Sequence, residues 1–170
     1  MKHLLVSVVA LAAAASLGAG CGGRQRTIAG TEIPDTEANR AVLETVDAYR
    51  RAVEARDAET LMLLASTDYW EDSGTPSASD DYGYDGLRQV LAGRFQQADD
   101  IRFALRTVSI RRQCPTKEFG PGCRAHVEVL IDASFSVTDA RGQERRPDKR
   151  DQNELVLQWT GDKWTIVAGM

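Results

Sequence analysis

The sequence predicts an α+β fold in which three N-terminal helices pack on a strongly curved antiparallel sheet. Three observations predict it. First, residues 124–138 alternate almost without a break. Ala125, Val127, Val129, Ile131, Ala133, Phe135 and Val137 fall on one side. Arg124, His126, Glu128, Asp132, Ser134, Ser136 and Thr138 fall on the other, with Leu130 the exception. That pattern marks a strand with one buried face. At about 3.3 Å per residue it spans roughly 50 Å, so it has to bend. Second, amphipathic segments precede it and can fill the hollow of a bent sheet. Third, further strand patterns lie on both sides of it in the chain, joined by turn-rich stretches.

The chain justifies each element in order. Pro34-Asp35-Thr36-Glu37 opens a helix, with cap residues and then an acid in the first turn. It runs to about Arg56, with Val42, Val46, Tyr49 and Val53 as its apolar stripe. Asp57 caps a short second helix, Ala58 to Ser66, which buries Leu61, Leu64 and Ala65. Asp68-Tyr69-Trp70-Glu71-Asp72 is a short strand, followed by a loop to Asp81 rich in Gly, Pro, Ser and Asp. Asp85 caps a third helix to about Gln97, with Leu87, Val90, Leu91 and Phe95 inward. From Ile101 to Gln113 the apolar phase flips: Ile101, Phe103 and Leu105 are odd, Val108 and Ile110 even. This implies a β-bulge near Arg106–Thr107, or a strand buried on different faces at its two ends. After the long strand comes a polar, basic tip containing Arg141, Arg145, Arg146, Lys149 and Arg150, interleaved with acids and read as a solvated hairpin end. Asn153 to Thr160 is a strand, Gly161-Asp162 a two-residue turn, and Lys163 to Ala168 the last strand.

The first 20 residues read as a signal peptide. Lys2 gives a positive start, and an apolar, Ala-rich run too short for a comfortable membrane span comes next. Small residues then lead to Cys21. This order resembles a bacterial lipoprotein signal, which implies that Cys21 carries lipid and anchors the protein to the cell envelope, facing the periplasm or the cell surface. Leu17 stands four positions before the cysteine, one further than such signals usually have it. The competing expectation is a plain secretory signal that leaves Cys21 a free thiol. The expected organisation is therefore signal peptide 1–20, anchor and flexible tether 21–34, and one domain 35–170. Beyond residue 20 the chain has 20 basic and 25 acidic side chains. That acidic balance argues against nucleic acid and against electrostatic binding to anionic lipid, so the membrane would be reached through the lipid on Cys21.

Cys114 and Cys123 flank Pro-Thr-Lys-Glu-Phe-Gly-Pro-Gly, a loop between two strand patterns. In an oxidising compartment they are expected to form a disulfide stabilising the fold by roughly 2–3 kcal/mol. A metal site is the rival, but two cysteines lack the remaining ligands. No metal and no cofactor are expected.

The succession of elements resembles the nuclear transport factor two-like superfamily, which includes SnoaL-like cyclases and ketosteroid isomerase. The resemblance is carried by Ala48-Tyr49-Arg50-Arg51-Ala52-Val53-Glu54-Ala55-Arg56-Asp57 with Leu61-Met62-Leu63-Leu64. It is carried also by Asp68–Asp72 at the first strand, Tyr84-Asp85-Gly86-Leu87-Arg88 opening the third helix, and Gly161-Asp162-Lys163-Trp164-Thr165-Ile166-Val167 at the finish. It implies a cone-shaped roll, helices over the concave face, a pocket at the wide end, and an opposite face that often supports a dimer. It does not imply an activity.

Candidate chemistry is sparse. His126, the one histidine beyond the signal, lies on the polar side of its strand, so it is expected in solvent or at a dimer contact. The weak catalytic candidates are Asp68 or Asp72 as base with Tyr49 as donor; five residues do not settle which way the aspartates face. Core packing and turn duty are the competing roles. The expected pocket residues are Tyr49, Trp70, Tyr84, Asn153 and Trp159, with Tyr82 near the mouth. The leading expectation is an exported, lipid-anchored domain that binds a small apolar ligand or a partner without catalysis. The alternatives are a small isomerase-, dehydratase- or cyclase-type enzyme, and a homodimeric assembly module.

Overall fold

A computed structural model of the chain describes residues 26–170 apart from 73, 139 and 140. The expected signal peptide and Cys21 lie outside these residues. The order is α1 (Glu37–Glu54), α2 (Ala58–Leu64), β1 (Trp70–Glu71), β2 (Tyr82–Gly83), α3 (Tyr84–Gln97), β3 (Asp99–Gln113), β4 (Arg124–Thr138), β5 (Glu144–Arg145), β6 (Asp148–Trp159) and β7 (Trp164–Ala168). The main sheet is antiparallel in the order β3-β4-β6-β7, with β5 paired to the end of β4; β1 and β2 form a separate ribbon. The architecture is α+β, three helices on one antiparallel sheet.

Local chemistry explains the helix starts. The Thr36 side chain accepts from the Asn39 N–H at 3.2 Å, and the Asp57 carboxylate from the Thr60 N–H at 2.9 Å. The start of α3 differs from expectation. Gly83 occupies the cap position and makes no side-chain cap bond, and Asp85 lies inside the first turn, where its charge favours the helix dipole. Gly86 is required there, because a Cβ would stand 2.6 Å from Tyr82 Cβ.

The core follows the sequence stripes closely. Val42, Val46, Tyr49 and Ala52 of α1 are buried against Ala125, Val127, Val129, Leu155, Leu157 and Ile166 of the sheet. In α2 the buried pair is Leu61 and Met62, and Leu64 is only partly covered. Strand β4 has the expected bounds, and its phase holds from Ala125 to Ala133. The bulge in β3 falls between Thr107 and Ser109, at Val108, slightly later than the phase flip suggested.

Strand β6 begins at Asp148, five residues before the expected start. This extension is charged on both faces, so it shows no apolar period. It is held to β4 by the register from Ser134–Asp148 to Arg124–Gln158 and by the Arg150–Asp132 ion pair at 3.1 Å. The part of the expected tether that is described also folds. Thr27 bridges Pro34, the Ile28 N–H donates to Ile33 O at 2.9 Å, and Ile33 is buried.

Candidate functional site

The sheet carries a two-lobed cavity on its helix-covered face. Helices α1 and α3 wall one lobe with Val53, Leu91 and Phe95, and the strands supply Ile101, Ala133, Phe135 and Val137; its volume is about 430 Å³. The other lobe, about 600 Å³, is polar: Glu71, Asp72, Tyr82, Asp151 and Asn153 line it. Tyr49, Arg94, Phe103, Lys149 and Met170 border both lobes, so the two adjoin.

Each wall is fixed by an identifiable contact. Tyr49 stands edge-on to Phe103, ring centroids 5.9 Å apart. The Phe103 N–H donates to the Glu54 carboxylate at 3.1 Å, which ties β3 to the last turn of α1. Arg56 continues the seam by donating to Ala98 O at 3.0 Å. At the polar lobe one Glu71 oxygen accepts from the Tyr69 hydroxyl at 3.0 Å and from the Gly169 N–H at 2.9 Å. The Tyr69 oxygen in turn accepts from the Met170 N–H at 3.0 Å, and the Asn153 amide donates to Gly169 O at 2.8 Å. Gly169 has a φ of +92°, and a Cβ there would collide with the Glu154 carbonyl, so only glycine lets this strap pass so close to β6.

The tyrosines are held protonated. Burial pushes the Tyr49 phenol up to about 12, against a lesser opposing pull from Arg94. Burial also raises Tyr69 and Tyr82. Tyr69 and Tyr82 stack with centroids 6.3 Å apart, which places one phenol behind the other at the lobe wall.

The sequence-based candidates separate sharply. Tyr49 and Asn153 border the cavity. Asp72 reaches its rim but is exposed, and one of its oxygens accepts from the Gly74 N–H at 3.0 Å. Asp68 is exposed, away from either lobe. Trp70 is 56% exposed. The reason is the phase of the Asp68–Asp72 segment: the chain spends its inward positions on Tyr69 and Glu71, so Trp70 points out. Tyr84 is occupied elsewhere, donating to Met62 O at 3.2 Å and pinning α3 to α2. Trp159 belongs to the other end of the sheet, where it packs with Phe119 and Trp164, each at 5.6 Å. Cys114 and Cys123 are joined by a disulfide beside this cluster.

Glu71, Arg94, Phe103 and Lys149 were missed by sequence reasoning. The one signal for Glu71 was its two-residue spacing from Tyr69, whose large ring claims the inward side. His126 sits on the outer face, its Nδ1 2.9 Å from Glu154, whose other oxygen accepts from Arg111 at 2.7 Å. Among the described residues no cluster of three His, Cys, Asp or Glu side chains is placed to hold a metal ion. None of the described helices is long and apolar enough to cross a membrane.

Comparison with known proteins places this geometry. No protein-family model and no curated protein matches the sequence. Solved structures do match. A conserved protein from Planctomyces limnophilus superimposes with a TM-score of 0.60 at 13% identity, over 78% of this chain and 92% of that one. A ketosteroid isomerase-like protein from Erwinia carotovora atroseptica gives 0.57 at 16% identity, over 79% and 95%. A protein from Streptomyces avermitilis, assigned to the nuclear transport factor two-like family and provisionally as a dehydratase, gives 0.54 at 17% identity, over 77% and 92%. Identities this low speak to architecture alone. The chain has the nuclear transport factor two-like fold.

Proposed function

We propose that the chain is an exported, lipid-anchored domain that holds a small, largely apolar ligand in the two-lobed cavity without transforming it. The observation that carries this reading is the apolar lobe. Val53, Leu91, Phe95, Ile101, Phe135 and Val137 surround about 430 Å³ of space that the chain's own side chains leave open. That size lies within the usual range of small-molecule sites, about 300–1,000 Å³. The aspartates that sequence reasoning offered as bases face water or the rim. Export is supported by the character of residues 1–20 and by the Cys114–Cys123 disulfide, a bond that persists in oxidising compartments. Anchoring is supported by Cys21 coming directly after an apolar run and small residues.

Two measurements test the reading. Protein purified from its native membrane is denatured and extracted, and the extract is analysed by mass spectrometry. A small amphipathic molecule recovered in proportion to protein is expected; protein that is repeatedly empty and binds no apolar probe contradicts ligand binding. An acyl-modified Cys21 peptide is expected in the same sample, and an unmodified Cys21 removes the anchor.

A second reading, a small isomerase- or dehydratase-type enzyme, is favoured by one observation. Glu71 is a carboxylate turned into the cavity and braced by the Tyr69 hydroxyl. Some proteins of similar fold carry isomerase or dehydratase names. Incubation with the recovered ligand decides it. Conversion that Glu71→Gln abolishes supports the enzyme, and an unchanged ligand removes it. Homodimerisation is a separate proposal. It is supported by the shallow groove on the outer face, where Leu130 lies among Arg106, Asp132, Arg150 and Gln152. Sedimentation that shows only monomer at high concentration removes it.

A further inference from the structure

We infer that the occupant of the cavity is an organic anion, a carboxylate or similar acid carried on an apolar body, with its head between Arg94 and Lys149. This rests on the binding reading above and names the chemistry of the ligand. The lining of the apolar lobe contains two charged side chains, Arg94 and Lys149, and no acidic one. The acids all belong to the polar lobe, and their partners are known. Glu71 is engaged by Tyr69 and Gly169, Asp72 by the Gly74 N–H, and Asp151 by Lys149 at 3.5 Å. Arg94 enters none of the ion pairs among the described residues.

Arg94 stands in the last turn of α3, and its charge reaches the phenols of Tyr49 and Tyr82. Arg94 is exposed at the edge of the lobe, and an apolar ligand filling the lobe would cover part of its guanidinium from water. A neutral ligand leaves that loss uncompensated, and a cationic one adds repulsion. An acid at the junction of the lobes instead receives the paired N–H donors of Arg94. It can also receive a third hydrogen bond from the Tyr49 hydroxyl, which burial keeps protonated. Lys149 adds charge at the rim, already shared with Asp151, so its share should be the smaller one.

The test uses the full chain carrying Cys21→Ser, so that no attached acyl group competes for the lobe. Calorimetric titrations compare decanoate, decanol and decyltrimethylammonium, each below its micelle concentration. Decanoate is expected to bind about tenfold more tightly than decanol, the range of one charge-assisted hydrogen-bonded pair, and the cation most weakly. Arg94→Gln is expected to weaken decanoate and to leave decanol as tight or tighter, so that the two affinities converge, and Lys149→Gln to cost less. Val137→Trp, which fills the lobe from its edge, is expected to weaken both. Equal affinity for decanoate and decanol, or an unchanged decanoate affinity in Arg94→Gln, overturns the anion assignment and leaves the pocket reading standing. Binding of decanoate that Val137→Trp does not touch places the acid elsewhere and also overturns it. No binding of any of the three overturns both readings.

Discussion

At the disulfide end of β4 and β6, Ala125, Val127, Leu155 and Leu157 are completely buried, whereas at the other end of β4 Ile131, Phe135 and Val137 are only partly covered. Nothing in the side chains themselves explains this, since both ends of β4 carry the same alternation of apolar residues. What lies above them differs. At the first end α2 is tied to the sheet's last strand, β7, by the bridge from Ala65 to Ile166 and the Ser66 N–H bond to Ile166 O at 2.8 Å, and its Leu61 and Met62 join the same buried core. Over the second end come only the last turns of α1 and α3 and the Gly169–Met170 strap. A core thus becomes a cavity within one strand when the covering layer thins, and the chain has in effect a structural end and a binding end.

Substitution at the two ends should separate them most widely. Leu157→Ala removes a fully buried side chain and is expected to cost about 2–5 kcal/mol in urea unfolding. Phe135→Ala, which already borders open space, is expected to cost at most about 1 kcal/mol while weakening ligand binding. Equal losses at the two positions would break the division. Replacing Cys114 and Cys123 together by serine should cost roughly 2–3 kcal/mol and leave ligand affinity unchanged, because the bond closes a loop at the structural end.

A third contrast is in pH. The folded state holds the Tyr49 proton up to about 12, while the unfolded chain releases it near an ordinary 10. This stability is therefore fully present below pH 10 and is lost as pH rises towards 12, on the order of 2–3 kcal/mol in total. Tyr49→Phe should flatten that part of the alkaline loss. Tyr69 and Tyr82, also raised by burial, should preserve the remainder.

The smallest effect is expected on the outer face. The His126 hydrogen bond, aided by Arg111, holds the Glu154 carboxyl below its usual range. Its contribution is present above the ordinary carboxylate pKa and fades as pH falls through the lowered one. Glu154 is 42% exposed, so solvent screens the pair, and Glu154→Gln should change stability by less than about 1 kcal/mol at neutral pH.

The legible part of the molecule was the part with a strong period. The stripe Val42, Val46 and Tyr49 and the run from Ala125 to Ala133 each bury one face, and the sequence displays that face directly. Val108 was foreshadowed because a bulge shifts the phase of every later residue in its strand. The first five residues of β6 were not legible, since Asp148 to Gln152 are charged or polar on both faces and their pairing is set by β4. The site was harder still. Tyr69, just before β1, and Glu71 within it share the inward side, and a two-residue strand is too short for alternation to declare itself. Arg94 and Lys149 meet at the cavity only because α3 and β6 converge there, a juxtaposition that no local pattern records.

Amide and methyl chemical-shift mapping during a decanoate titration tests the division into two ends most directly. Shifts concentrated on Val53, Leu91, Ile101, Phe103 and Val137, with Val127, Leu155 and Leu157 unmoved, are the expected result. Shifts centred on Phe119, Trp159 and Trp164, or on Leu130 of the outer face, would contradict it.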